Sequence, residues 1–146
     1  MEKNKSIGRI VSCIYRFTAI TLHKKLEKYN IGPGQLHFLM VLYRNEGINQ
    51  EYIARKLMID KATSARAIKK LEEEGYVKRN IDENDKRAYN ICLTKKGYDL
   101  KPVVLQILRE WTNTLLIDFN EKEKKTLFEL LEKLLINANK AIEKSV

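Results

Sequence analysis

Residues 49–93 read NQEYIARKLMIDKATSARAIKKLEEEGYVKRNIDENDKRAYNICL, and the periodicity inside this stretch decides the fold. Ile53, Ala54 and Leu57 recur at steps of one and three, which places them on one helical face. Met58-Ile59-Asp60 interrupts that pattern. Asp60 suits a helix N-cap, where a carboxylate accepts orphan backbone N–H groups at the positive end of the helix. The spacing predicts a second helix from about Lys61 to Glu74, with Ser64, Ile68 and Leu71 inward and Thr63, Arg66, Lys69 and Lys70 outward. Gly75 then ends it, as a glycine after a helix does.

After Gly75 the period falls from about 3.6 to 2. Val77, Arg79 and Ile81 alternate with Lys78 and Asn80, and Tyr89, Ile91 and Leu93 alternate with Asn90 and Cys92. Between the two runs lies Asp82-Glu83-Asn84-Asp85-Lys86-Arg87, too polar for a core and rich in turn formers. Helix, turn, helix and hairpin in this order describe a winged helix-turn-helix. Its second helix fits a major groove, and its hairpin reaches the neighbouring minor groove or backbone. On that geometry Arg66 is the candidate for bidentate pairing with guanine, and Thr63 for a thymine methyl or the backbone. Lys61, Lys69 and Lys70 are placed to meet phosphate, which positions a protein without specifying sequence.

The stretch resembles the multiple-antibiotic-resistance regulator (MarR) family. The residues that carry the likeness are Ile59-Asp60-Lys61 with Thr63 and Arg66, then Leu71-Glu72, Gly75-Tyr76-Val77 and Arg79, the pair Asp85 and Arg87, and Leu93-Thr94 with Gly97. The resemblance implies a transcriptional regulator whose Asp85-x-Arg87 pair holds the wing and presents Arg87 to the minor groove. It also implies that the terminal helices form a homodimer, and that small, often phenolic or aromatic anions bind between these helices and the winged helix. Tyr15, Arg16, Tyr29, His37 and Tyr98 are candidates for such a ligand by position. Some members carry a peroxide-sensing cysteine on the first helix, a place that Cys13 occupies here.

Outward from the motif, residues 5–29 form one amphipathic pattern, with Ile7, Ile10, Val11, Ile14, Phe17, Leu22, Leu26 and Tyr29 on a single stripe. Pro33 suits the first position of a helix over 33–44. Thr94 caps the helix after the hairpin, Pro102 lies inside it, and Asn120 with Glu123 forms a capping box for the last helix. Leu127, Leu130, Leu131, Leu134 and Leu135 make a broad apolar stripe there. The expected fold is mainly α with a small β-hairpin wing: a DNA-binding region over 33–93, integrated in one domain with helical regions over 1–32 and 94–146. The terminal helices are surplus to a winged helix, so Ile7, Ile10, Ile14, Leu127, Leu131, Leu134 and Leu135 either fold back on it or meet a second chain. A two-fold dimer that reads a palindromic operator is the expectation.

The chain has 146 residues and a net charge of +9, distributed unevenly. Residues 1–30 hold seven Lys/Arg against two acids and residues 50–96 twelve against eight, whereas residues 97–146 balance at eight each. The excess therefore lies on the first helix and the helix-turn-helix, which fits double-stranded DNA as the partner. A solvated, lysine-rich surface carries the same charges, and an architectural protein that coats nucleic acid without sequence preference would share them too. An apolar run long enough to span a membrane is lacking, as is a signal-peptide pattern, so a cytoplasmic location is expected. Cys13 and Cys92 give neither a disulfide framework nor metal spacing, and His23 and His37 lack ligand neighbours. No catalytic constellation stands out, so no enzyme activity, cofactor or metal is expected.

Overall fold

The structure is a computed structural model, and it describes residues 6–45 and 47–144. The residue-5 start expected for the first helix lies outside the described residues. The chain divides into two compact units, residues 1–109 and 110–146.

The first unit opens with α1 (Ile7–Leu26), whose N-cap Ser6 accepts the Arg9 N–H, followed by a 3-10 turn over Glu27–Tyr29. Only Leu22 and Leu26 of the α1 stripe are buried; Ile7, Ile10 and Ile14 remain 60%, 53% and 44% exposed. Pro33 does open α2 (Pro33–Leu42), two residues shorter than predicted. The core gathers around α2, where Phe38, Leu39 and Leu42 meet complete or near-complete burial, as do Ile53, Ile68, Leu71 and Ile91 from the elements that follow. Fully burying side chains of this size stabilises the fold by about 1.5–3 kcal/mol each.

The two helices of the motif are α3 (Gln50–Leu57) and α4 (Lys61–Glu73). Asn49 caps α3 by accepting the Glu51 N–H at 2.7 Å, and Asp60 caps α4 by accepting the Thr63 N–H at 2.8 Å. The turn between them needs a left-handed residue, and Met58 fills that place with φ 51°. A side chain there costs roughly 1–2 kcal/mol, so tertiary packing of α3 against α4 holds the turn. Gly75 follows α4 with φ +76°, a conformation that glycine adopts without that cost.

Strands β2 (Val77–Ile81) and β3 (Tyr89–Leu93) fall on the predicted residues and pair antiparallel, Val77 opposite Leu93 and Ile81 opposite Tyr89. A third strand, β1 (Ile48–Asn49), pairs with the other edge of β3, giving the order β1-β3-β2. Two residues are too few to show an alternation, so β1 has no signature in the sequence. The inward alternation holds only at the base of the hairpin, away from its turn: Val77, Ile91 and Leu93 are buried, whereas Ile81 and Tyr89 are 61% and 44% exposed toward the tip.

Helix α5 (Lys95–Leu115) starts under Thr94, whose hydroxyl oxygen accepts the Gly97 N–H at 3.1 Å. The same hydroxyl donates to the Gly75 carbonyl at 2.5 Å, tying the helix start to the end of α4. In the second unit, α6 (Glu121–Glu143) has the capping box of Asn120 and Glu123, each accepting the other's backbone N–H. None of its residues is buried; Leu131, Leu134 and Leu135 are 45%, 39% and 63% exposed, and Leu127 is half-buried.

Candidate nucleic-acid interface

The surface that could meet a duplex is built from α4, the start of α3 and the hairpin. Ser64, Ala67, Ile68 and Leu71 turn α4 onto the core, which forces Lys61, Thr63, Arg66, Lys69 and Lys70 outward. Asp60 holds the N-terminal tip: hydrogen bonds from the Thr63 side chain and backbone keep its carboxyl below the usual range, so it stays charged at the positive helix end. Arg66 bends back one turn, its Nη2 donating to the Thr63 Oγ1 at 3.0 Å. This contact restrains a flexible side chain without neutralising it, since the hydroxyl carries no charge. The guanidinium fork stays available for a planar acceptor pair such as a guanine edge.

The lysines differ from Arg66 in what they touch. Lys61 pairs with Glu51 at 3.4 Å and Lys69 with Glu73 at 3.8 Å, both pairs largely exposed. Pairs of this kind stabilise by under about 1 kcal/mol and open readily.

The wing is organised by Asp82, one of the turn formers between the two strands. Its Oδ1 accepts the N–H groups of Asn84 (2.8 Å) and Asp85 (3.2 Å), and its Oδ2 accepts from the Asn90 side chain at 3.0 Å. Those three bonds hold its carboxyl below the usual range, Asn84 first. The pattern Asp-x-Asn two residues on is the signal that could have revealed it. Asp85 accepts the Arg87 backbone N–H at 2.9 Å, and its carbonyl accepts the Ala88 N–H. Asp85 thus meets Arg87 through the main chain, and the Arg87 side chain is left exposed at the tip.

Between the start of α3, the tip of α4 and the wing lies a groove of about 440 Å³, lined by Asn49, Gln50, Glu51, Lys61, Arg79, Asp85, Arg87, Ala88 and Tyr89. Three cations against two acids make it net positive. Arg79 and Tyr89, strand positions by their alternation, are brought to this groove by the pairing of β2 with β3. Arg79 is held by Glu72, Nε to Oε2 at 3.3 Å, with only a quarter of its side chain exposed. Tyr89 adds an exposed aromatic ring beside the cations.

The remaining candidates lie elsewhere. Tyr15 and Arg16 are exposed on α1, His37 on α2 and Tyr98 on α5, while Tyr29 is half-buried with its carbonyl accepting the Tyr76 hydroxyl at 2.8 Å. The groove beside the wing, and an apolar hollow of about 300 Å³ at the α3–α4 turn, are lined by other residues. Cys13 is half-buried, and its Sγ accepts from Arg16 Nη2 at 3.2 Å. Among the described residues, no group of three or more His, Cys, Asp and Glu side chains could hold a metal ion, and no helix is long and apolar enough to cross a membrane.

Comparison with known proteins places these features in context. The sequence model of the MarR family matches residues 31–89. The HTH-type transcriptional regulator YybA of Bacillus subtilis is 35% identical over 130 residues, covering 89% of this chain and 84% of the relative. A MarR transcriptional regulator from Methanosarcina mazei Go1 superposes with a TM-score of 0.90 at 45% identity, covering 92% of this chain and 97% of that one. A MarR-family regulator of Listeria monocytogenes, solved in complex with a 26mer DNA, superposes with a TM-score of 0.84 at 30% identity over 92% of this chain and 89% of its own.

Proposed function

The chain belongs to the MarR family of winged helix-turn-helix transcriptional regulators, and on that premise we propose that it is a homodimeric repressor that reads a palindromic operator. One observation carries the reading. The outward face of α4 presents Arg66 on a neutral hydroxyl beside a positively charged groove that ends in the exposed Arg87 of the wing. A helix with a guanidinium at its exposed N-terminal turns can meet base edges in the major groove, while an arginine on a wing can enter the minor groove alongside. Residues 33–93 are the DNA-binding region. The exposed leucines of α6 and the exposed isoleucines of α1 support assignment of 1–32 and 94–146 to the dimer, because apolar faces of that extent are rarely left to water. Such a protein acts on chromosomal DNA in the cytoplasm.

The test is selection of bound fragments from the source genome followed by footprinting. A protected site with two half-sites one helical turn apart, about 34–36 Å, is the expected result. Uniform coating with steep salt dependence would point instead to an architectural role.

For release from DNA we assign a small aromatic carboxylate to Tyr15, Arg16, Tyr29, His37 and Tyr98. Such a ligand lowers operator affinity only by binding the DNA-free arrangement more tightly. Salicylate at millimolar concentration should weaken the complex, and an unchanged affinity would remove this ligand class. A second reading rests on Cys13 and the guanidinium beside it. Loss of DNA binding on peroxide treatment, absent in Cys13→Ser, would identify oxidation as the trigger.

A further inference from the structure

Around the recognition helix, cations and their partners follow a pattern. Lys61, Lys69 and Arg79 each lie against a carboxylate, that of Glu51, Glu73 and Glu72 respectively. Arg66 lies against a hydroxyl. Of the side chains suited to phosphate, Lys61 and Lys69 are thus matched by internal acids.

Glu51 is the member of this set closest to the interface. It occupies the second position of α3, where an acid is favoured by the helix dipole and where its N–H is taken by Asn49. That role needs nothing from Lys61. Yet its carboxylate reaches ten residues along the chain to the ammonium at the tip of α4, and Glu51 lines the groove together with Lys61, Arg79 and Arg87. With 83% of the Lys61 side chain and 67% of the Glu51 side chain exposed, the pair is open to solvent, so a phosphate can compete for the lysine. The other groove acid, Asp85, is already engaged by the Arg87 N–H.

We propose that Glu51 is an affinity-limiting residue that competes with DNA phosphate for Lys61, restraining the charge-dependent part of DNA binding. The inference rests on the DNA-binding reading above. Binding to arbitrary sequence comes almost wholly from phosphate neutralisation, so each cation withheld lowers it. Contacts to base edges through Arg66 are unaffected, so the restraint falls on the part of the affinity that all sequences share.

The experiment compares wild type, Glu51→Gln, Lys61→Gln and the double variant on a random-sequence duplex and on a fragment selected from genomic DNA, each across a salt series. Glu51→Gln should tighten binding to the random duplex roughly threefold per subunit at low salt, and steepen the salt slope by roughly one ion per subunit. In the Lys61→Gln background the same substitution should have no effect. Unchanged affinity and slope in Glu51→Gln would overturn the inference. So would a loss confined to the selected fragment and traced to one base pair, because Glu51 would then be accepting a hydrogen bond from a cytosine. Wild type that bound neither duplex would overturn the DNA-binding reading itself, whatever Glu51 does.

Discussion

Gly97→Ala tests the joint between the winged helix and the helix that follows it. A Cβ at Gly97 would overlap the Tyr76 carbonyl oxygen far inside van der Waals contact, and would sit 3.2 Å from the Tyr76 carbonyl carbon and 3.1 Å from Leu93 Cδ2. None of these atoms ends a flexible surface chain. The Tyr76 carbonyl accepts the Thr94 N–H at 3.0 Å and the Thr94 hydroxyl at 3.2 Å, and the Tyr76 ring is fixed by its bond to the Tyr29 carbonyl. Relief would therefore move the crossing of β2 and β3 or the first turn of α5. Overpacking of this kind costs about 1–3 kcal/mol, and disturbing one hydrogen bond adds about 1 kcal/mol. Greater helix propensity of alanine returns up to about 1 kcal/mol. The net is a destabilisation of about 1–3 kcal/mol, or roughly 2–12 °C in Tm for a chain of this length. Thermal unfolding followed by circular dichroism measures it, with Gly34→Ala as the control. At Gly34 a Cβ meets nothing within 4 Å, so that variant should melt at or slightly above wild type. Equal melting of Gly97→Ala and wild type would refute the claim that Tyr76 and Thr94 are fixed against Gly97.

Asp82→Ala should release the wing, lowering DNA affinity more than Asp85→Ala while leaving Tm nearly unchanged, because three bonds to one exposed carboxylate are lost in the first case and one in the second. Gel-shift titrations rank the two, and the reverse order would return the wing's organisation to Asp85. Replacing Leu131 and Leu134 by Lys should give a monomer by sedimentation, since buried leucines contribute about 1.5–3 kcal/mol each and lysines there would lack partners; an intact dimer would place the interface elsewhere. Burial, and then Tyr76 nearby, push the Tyr43 hydroxyl up from 10.0 to about 12. Its contribution is complete below pH 10 and is lost as pH rises toward 12, where the unfolded chain ionises first. Alkaline unfolding should therefore be less steep in Tyr43→Phe, and identical profiles would contradict the assignment.

The helix-turn-helix was legible because its signals are local. Asp60 and Asn120 cap the helices that they were expected to cap, and Gly75 takes the left-handed conformation that its place after α4 demands. The strands were legible for the same reason, through a period that changes at a glycine. What escaped depends on neighbours distant in sequence. Strand β1 exists because β3 has an open edge for it, and nothing in Ile48-Asn49 announces a partner more than forty residues away. Tyr89 and Arg79 line the groove beside Lys61 and Arg87, a placement that alternation alone cannot supply. Asp85 and Arg87 stand at a separation that sequence shows, but only the tight turn reveals that the carboxylate meets the Arg87 backbone N–H. The stripes of α1 and α6 were legible as apolar periodicity, but their exposure was not, because spacing alone does not say what a face packs against.

The central claim is that one helix both reads and grips DNA, with separable side chains. Binding of Arg66→Ala and Lys70→Ala to a selected genomic fragment and to random duplex, across a salt series, tests it most directly. Arg66→Ala should lose about 1–3 kcal/mol of discrimination per half-site with little change on random sequence, while Lys70→Ala should weaken both duplexes alike and flatten the salt slope by roughly one ion per subunit. Indistinguishable behaviour of the two variants would contradict the division between reading and gripping.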